Sequence, residues 1–205
     1  MKLFFGGLSP FVRKVMVVAH ELGVAERIEI NPAMVTPFKT HEDVAAVNPL
    51  GKIPAACLDD GSPLYDSGVI CEYLDATHGA GKLFPAAGPA RWTALRRAAL
   101  GDGILEAGSL ARIETLRPDG TQWQDWRDHQ LAKVQRALVA AEADVENLAT
   151  SDITIGEIGL GCALGWLDVR LPGVQWRPVH AGLSRWFDAV SERPSFAATK
   201  PVLPK

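Results

Sequence analysis

The stretch Ala55-Ala56-Cys57-Leu58-Asp59-Asp60-Gly61-Ser62-Pro63-Leu64-Tyr65-Asp66-Ser67 sets two short apolar runs on either side of Asp60-Gly61. An Asp-Gly pair between apolar runs signals a hairpin, because both residues tolerate the positive φ of a tight turn. Residues 55–58 and 64–65 are therefore expected to pair antiparallel. Residues 67–76 follow with helical spacing, placing Val69, Ile70, Tyr73 and Leu74 on one face. No strand-like alternation appears after Tyr65, so this hairpin closes the β part of the chain.

Upstream, residues 2–5 read as a strand and residues 10–22 as a helix, with Gly23 just past its end. Residues 27–30 read as a second strand. A strand, a helix and a strand of these lengths form a right-handed βαβ unit with parallel strands. The loop that follows holds one short helix within residues 41–47. The order βαβ then ββα is a thioredoxin-like arrangement, expected over residues 1–77. Residues 78–88, with Gly79, Gly81, Pro85 and Gly88, read as a linker. Residues 89–205 read as an all-helical bundle. Trp92, Leu95, Ala99, Ile104, Ala107 and Leu110 recur at helical spacing, as do Leu131, Val134, Leu138, Ala141, Val145 and Leu148. Residues 154–170 are apolar on most sides, as at the centre of a bundle, and residues 178–192 form a last amphipathic helix.

Composition narrows the function. The chain has 205 residues, 47% hydrophobic and 22% charged, which fits an ordered globular protein. A net charge of −3 supplies no basic excess for a phosphate backbone, so nucleic acid is not an expected partner. Cys57, Cys71 and Cys162 make an odd, sparse set without C-x-x-C, so a reducing, cytoplasmic setting is expected rather than a disulfide scaffold. The apolar run at the N-terminus is short and broken by glycines, unlike a signal peptide. Residues 153–169 carry Glu157 and Asp168 and read as a buried helix, so no membrane partner is expected. The five histidines form no metal-binding pair, and no metal is expected. Gly79-Ala80-Gly81-Lys82 lacks the earlier glycine and the following Ser or Thr of a phosphate loop. Gly156, Gly159, Gly161 and Gly165 follow no strand and suit close helix packing.

Three small features remain. Ser9-Pro10 has the residue types of a helix cap and first turn. A helix start also offers free N–H groups and a positive dipole end, so a thiolate beside the Ser9 hydroxyl would be stabilised. Asn48-Pro49-Leu50-Gly51-Lys52-Ile53-Pro54 precedes a strand. A cis bond before Pro54 would turn the Ile53 N–H and C=O outward to pair with an extended peptide. Asp66-Ser67 opens a helix, where backbone N–H groups favour a carboxylate and Asp66 can take an amine. Taken singly, these are two capping pairs and an ordinary loop.

In this order they resemble the glutathione S-transferase superfamily, most of all its small bacterial members of the YibF type. The likeness rests on residues 9–15, 48–54 and 65–67. Downstream, residues 102–107 and 154–158 are also similar, with Glu157 where the family usually has Asp in its capping box. The resemblance implies that glutathione is the co-substrate and that Ser9 hydrogen-bonds its sulfur as the catalytic residue. It implies that Ile53, ahead of Pro54, pairs with the cysteinyl part, and that Asp66 and Ser67 hold the γ-glutamyl end. Lys52 would sit near the glycyl carboxylate. Phe11, with helix residues near Leu105 and Ser109, would line an apolar pocket for a small electrophile. It further implies a homodimer in which Glu106 reaches the neighbouring subunit's ligand. The expected function is a glutathione transferase. Peroxide reduction by bound glutathione, and glutathione binding without turnover, are the other readings. Ser9 stands where disulfide-exchanging relatives have Cys, which counts against redox exchange.

Overall fold

Leu3 and Phe4 are buried in strand β1 (Lys2–Phe5), the inner partner of a four-stranded sheet in the order β2-β1-β3-β4. The computed structural model describes residues 1–201. Strand β2 (Glu29–Pro32) runs parallel to β1, with Leu3 opposite Ile30. Strands β3 (Ala55–Cys57) and β4 (Pro63–Tyr65) form the expected antiparallel hairpin. β3 pairs antiparallel with β1, Leu3 lying opposite Ala56. β2 starts two residues later than the apolar pattern suggests. A 3-10 turn at Ala25–Arg27 consumes the early part, with the Ile28 N–H donating to the Ala25 carbonyl at 3.1 Å.

Helix α1 (Pro10–Glu21) buries Val12, Val15, Val17, Val18 and Ala19. Helix α2 (Glu42–Val47) is short and anchors through Val44. Helix α3 (Ser67–Leu74) buries Ser67, Ile70, Cys71 and Leu74, whereas Val69 is 48% exposed and Tyr73 is half-buried. The buried stripe is thus rotated from the expected face, because the small Ser67 and Cys71 pack where bulk alone favoured Val69 and Tyr73. A π turn (Asp75–Gly79) continues α3. Asp75 is buried, and its carboxylate accepts from the Leu83 and Phe84 N–H groups at 3.1 and 2.9 Å. Residues 78–88 are therefore pinned by one carboxylate as well as by the buried Leu83 and Phe84.

Contacts divide the chain into two compact units. The first holds Met1–Arg91 together with residues 194–201; the second is Trp92–Arg193. Within the first, helix α9 (Pro194–Ala198) packs on α1. The Arg13 guanidinium lies 5.4 Å from the Phe196 ring and donates to the Phe196 carbonyl at 3.4 Å.

The second unit is helical, with no strand among its described residues. Helix α4 (Gly88–Glu114) begins in the first unit and runs into the second. Helix α5 (Gln124–Ala143) buries Val134, Leu138 and Ala141 of the expected stripe; Leu131 is half-buried, and the helix stops before Val145 and Leu148, a 3-10 turn at Val145–Asn147 taking over. Helix α6 (Ile155–Arg170) is buried continuously from Ile155 to Leu167, as its all-round apolar character requires. α7 (Trp176–Val179) and α8 (Ala181–Ser191) complete the unit. On α4 the expected apolar stripe mixes two faces. Ile104 and Ala107 are buried, but Trp92 is 67% and Leu110 42% exposed, and Ala99 is exposed.

Glycines set the spacing between α4 and α6. A Cβ on Gly101 would lie 2.6 Å from the Gly159 carbonyl carbon, and one on Gly156 would lie 2.7 Å from Arg97 Cβ. The capping box at the start of α6 is complete: the Thr154 hydroxyl accepts from Gly156, and Glu157 accepts from the Thr154 N–H at 2.9 Å. The other Glu157 oxygen takes Arg97 at 2.7 Å, and Arg97 Nε donates to Asp144 at 2.9 Å. None of the described helices is long and apolar enough to cross a membrane.

Candidate functional site

Strand register gathers the singled-out residues of the first unit. Phe4 near the end of β1 lies opposite Ala55 at the start of β3, and Ala55 lies opposite Tyr65 at the end of β4. The loop after β1, the loop before β3 and the turn after β4 therefore emerge at one end of the sheet. They carry Ser9, Lys52-Ile53-Pro54 and Asp66-Ser67.

Ser9 is the N-cap of α1, with Pro10 in the first turn. Its Oγ accepts from the Val12 N–H at 3.3 Å. Capping uses an oxygen lone pair and leaves the hydroxyl proton free to be donated. That proton has no acceptor among the described residues. The cap and the thiolate-donor reading are thus compatible. Phe11 follows, half-buried, with the Lys14 ammonium 5.9 Å from its ring.

The Ile53–Pro54 peptide is cis, as expected. Ile53 packs beside the buried cluster of Phe4, Ala33, Val44 and Ala55. Gly6 makes room for it: a Cβ there would sit 2.7 Å from Ile53 Cδ1. Lys52 is exposed, and its ammonium has no partner among the described residues. Asn48, which has no individual role in the motif as read from the chain, holds this loop. It is 2% exposed; its Nδ2 donates to the Lys52 carbonyl at 2.8 Å, and its Oδ1 accepts from the Leu50 N–H at 3.0 Å. The second bond is an Asx turn, a local signal visible in Asn-Pro-Leu-Gly. Gly51 supplies the φ of +63° that the turn requires. Asn48→Ala leaves both backbone groups without that partner. We expect it to cost about 1–3 kcal/mol in chemical denaturation, and Asn48→Asp to be no milder, because its buried carboxylate keeps the Leu50 bond but sets a charged oxygen against the Lys52 carbonyl.

Asp66 is the N-cap of α3. Its Oδ1 accepts from the Gly68 and Val69 N–H groups at 2.8 and 3.2 Å, and its Oδ2 has no described partner. Asp66 has a φ of +75°, a left-handed backbone that costs a non-glycine residue about 1–3 kcal/mol. The cap offsets part of this. Ser67 is 5% exposed at the first helical position, and its hydroxyl has no described partner. The arrangement offers one free carboxylate oxygen to an amine, and beside it the Ser67 hydroxyl and the Ser67 N–H to a carboxylate, the Gly68 and Val69 N–H groups being taken by Asp66. An α-amino acid carries those two groups on one carbon.

In the second unit, Glu106 is exposed on α4, Leu105 is fully buried and Ser109 is half-buried. No cluster of three or more His, Cys, Asp or Glu capable of holding a metal occurs among the described residues.

Both units of the chain are similar to known proteins. Residues 8–77 match the family model described as "Glutathione S-transferase, N-terminal domain", and residues 124–189 match "Glutathione S-transferase, C-terminal domain". The chain is 32% identical over 204 residues, 98% of both chains, to "Uncharacterized GST-like protein YibF" of Escherichia coli K12. Among solved structures, a glutathione transferase family member from Pseudomonas fluorescens Pf-5 with bound glutathione is 44% identical, with a TM-score of 0.95 over 98% of this chain and 99% of that one. A family member from the same strain with bound S-(propanoic acid)-glutathione is also 44% identical, with a TM-score of 0.90 over 99% of this chain and 100% of that one. With both domain models matched in order and this likeness running the length of the chain, the protein belongs to the glutathione S-transferase family.

Proposed function

We propose that this protein is a glutathione transferase: it binds glutathione in the first unit, ionises its thiol beside Ser9 and adds the thiolate to a small electrophile. The observation that carries the reading is the pairing, at one end of the sheet, of an amine-and-carboxylate clamp at Asp66-Ser67 with the uncommitted hydroxyl proton of Ser9. The γ-glutamyl amine meets Asp66 Oδ2, its carboxylate meets Ser67, the cysteinyl backbone pairs with Ile53 ahead of Pro54, and Lys52 faces the glycyl carboxylate. A free thiol titrates near pH 8.5, so little is ionised at neutral pH. A hydrogen bond from Ser9 and the positive end of α1 both favour the charged sulfur. The thiolate attacks the electrophilic carbon with its electron pair, and the leaving group departs with the displaced pair. The Pseudomonas protein holding S-(propanoic acid)-glutathione supports this chemistry, since that ligand's sulfur already carries a carbon substituent.

The same reading makes the protein a homodimer. Trp92, Ala99, Gly103, Glu106 and Leu110 share an exposed face of α4, and its two large apolar side chains favour a covered surface. Glu106 lies on that face, which supports its reaching the partner's γ-glutamyl amine. Cys57, Cys71 and Cys162 form no disulfide, which supports a cytoplasmic, reducing setting.

The test is titration with glutathione followed by turnover with a panel of electrophiles. Asp66→Asn keeps a side chain that caps a helix and tolerates positive φ, but removes the charge. We expect stability to change by no more than about 0.5 kcal/mol while the Kd for glutathione rises about 10-fold. An unchanged Kd would place the γ-glutamyl end elsewhere.

A further inference from the structure

Beyond the glutathione site, α4 and α6 bring together two arginines that the reading above does not use. The two helices run parallel in close contact. Gly156 meets Ala94 and Arg97, Gly159 meets Ala98 and Gly101, and Gly108 meets Trp166 and Leu171. One turn beyond Gly108 stands Arg112; one turn beyond Trp166 stands Arg170. The helices therefore end side by side with a guanidinium on each. Both residues are half-buried, and neither guanidinium has a hydrogen bond or ion pair among the described residues. Elsewhere in this unit the buried Arg97 holds Asp144 and Glu157 and the half-buried Arg177 holds Asp168 and Asp188, whereas Arg127 on α5 also lacks an acid and its Nε is buried without a partner.

A cation near a helix C-terminus gains from the dipole, which accounts for one arginine at each end. It does not account for two on adjacent helix ends with no acid paired to either. Burial, followed by the positive charge of Arg112, pushes Arg170 below the usual arginine range. An anion between them reverses the second effect. The surroundings favour an organic anion. A Cβ on Gly108 would lie 2.8 Å from the Trp166 ring and 3.2 Å from Leu171 Cδ1. Leu171, next in sequence to Arg170, also lines a cavity of about 320 Å³ with Leu167, Pro172, Trp176 and Pro178; Asp168 in its wall is already held by Arg177. Guanidinium forks match the two oxygens of a carboxylate, and an apolar wall suits a hydrocarbon or aromatic body.

We propose that Arg112 and Arg170 form an anion site in the helical unit that binds the carboxylate of a small organic acid. The probe is benzoate, with benzamide as its neutral counterpart and inorganic phosphate as an anion without an apolar body. Titration of the full chain is expected to show saturable benzoate binding well above that of benzamide and phosphate. Arg112→Gln and Arg170→Gln should each weaken it about 10-fold or more, with unchanged circular dichroism. Arg170→Lys, which keeps the charge and loses the fork, should fall between wild type and Arg170→Gln and serves if a glutamine variant fails to fold. Turnover then distinguishes where the carboxylate comes from. If it belongs to the electrophile, the variants raise KM for 4-chloro-3,5-dinitrobenzoate but not for 1-chloro-2,4-dinitrobenzene. If it belongs to a separate ligand, both KM values stay put while benzoate binding is lost. A chain that turns over neither electrophile removes the transferase reading, yet the benzoate titration still decides this site. Benzoate binding no better than benzamide, or binding unaffected in both glutamine variants, overturns the proposal.

Discussion

Arg97→Met destabilises the helical unit by about 3–5 kcal/mol, because it strips Glu157 of its charge partner in a place water does not reach. Glu157 is 1% exposed and has three attachments: the Thr154 N–H, the Thr154 hydroxyl and Arg97. The two from Thr154 satisfy hydrogen bonding without neutralising the charge. Methionine keeps much of the arginine stem's packing against Gly156, so the loss reports charge rather than volume. Glu157→Gln in the Arg97→Met background removes the stranded charge and should recover part of the loss. Full additivity of the two changes would show that the pair is not coupled. Asp144 adds a pH signature. Its hydrogen bond from Arg97 holds its carboxyl below the usual carboxylate range, against the opposing effect of burial. A carboxylate depressed in the folded state stabilises the fold above its unfolded pKa, about 3.9, and loses that contribution as pH falls through the folded value. The Asp144 part of the wild-type advantage over Arg97→Met is therefore complete above about pH 5 and shrinks on acidification below about pH 4. Denaturant titrations of both proteins from neutral pH downward check this.

Ser9→Ala slows conjugation about 10- to 100-fold at pH values below the pKa of the enzyme-bound thiol. A hydrogen bond to a charged group is worth roughly 1.5–3 kcal/mol, or about one to two pKa units. The rate difference shrinks as pH rises and disappears above the variant's own thiol pKa, where base supplies the thiolate without help. Affinity for glutathione changes little, since the Ile53, Asp66 and Ser67 contacts survive. A separate loss of about 1 kcal/mol in stability comes from the Val12 cap. It appears without ligand and has no such pH dependence, so the two roles of one hydroxyl separate cleanly. An equal fall in rate at all pH values would mean that Ser9 positions the sulfur rather than ionising it.

How much of this was legible in the chain varies with the kind of signal. Asp60-Gly61 announced the hairpin and Lys2–Phe5 the first strand, because turn chemistry and apolar runs are local. The capping box of α6 was legible for the same reason, even with Glu157 in place of Asp. The buried faces of α3 and α4 were not. Ser67, Cys71, Gly101 and Gly108 are small residues that pack closely, and a reading by bulk passes over them in favour of Val69, Tyr73, Trp92 and Leu110, which lie wholly or partly exposed. At the site, Ser9 and the Ile53–Pro54 turn were visible as local motifs. Asp66-Ser67 was visible as a capping pair, but the φ of +75° at Asp66 was not, because it follows from how the turn after β4 meets α3. Asn48 shows its Asx turn locally, but its hold on the Lys52 carbonyl appears only once the loop closes. Asp75 reaches Leu83 and Phe84 across a segment whose glycines and prolines suggest only a linker.

The ultraviolet absorbance of glutathione thiolate, titrated with pH on the wild-type protein and on Ser9→Ala at saturating glutathione, tests the central claim most directly. The account predicts that bound glutathione ionises below the free thiol value of about 8.5 in the wild type and that Ser9→Ala moves the curve upward by about one to two units. Two superimposed curves would reduce Ser9 to a helix cap, and a wild-type curve lying on that of free glutathione would contradict thiol activation by this protein altogether.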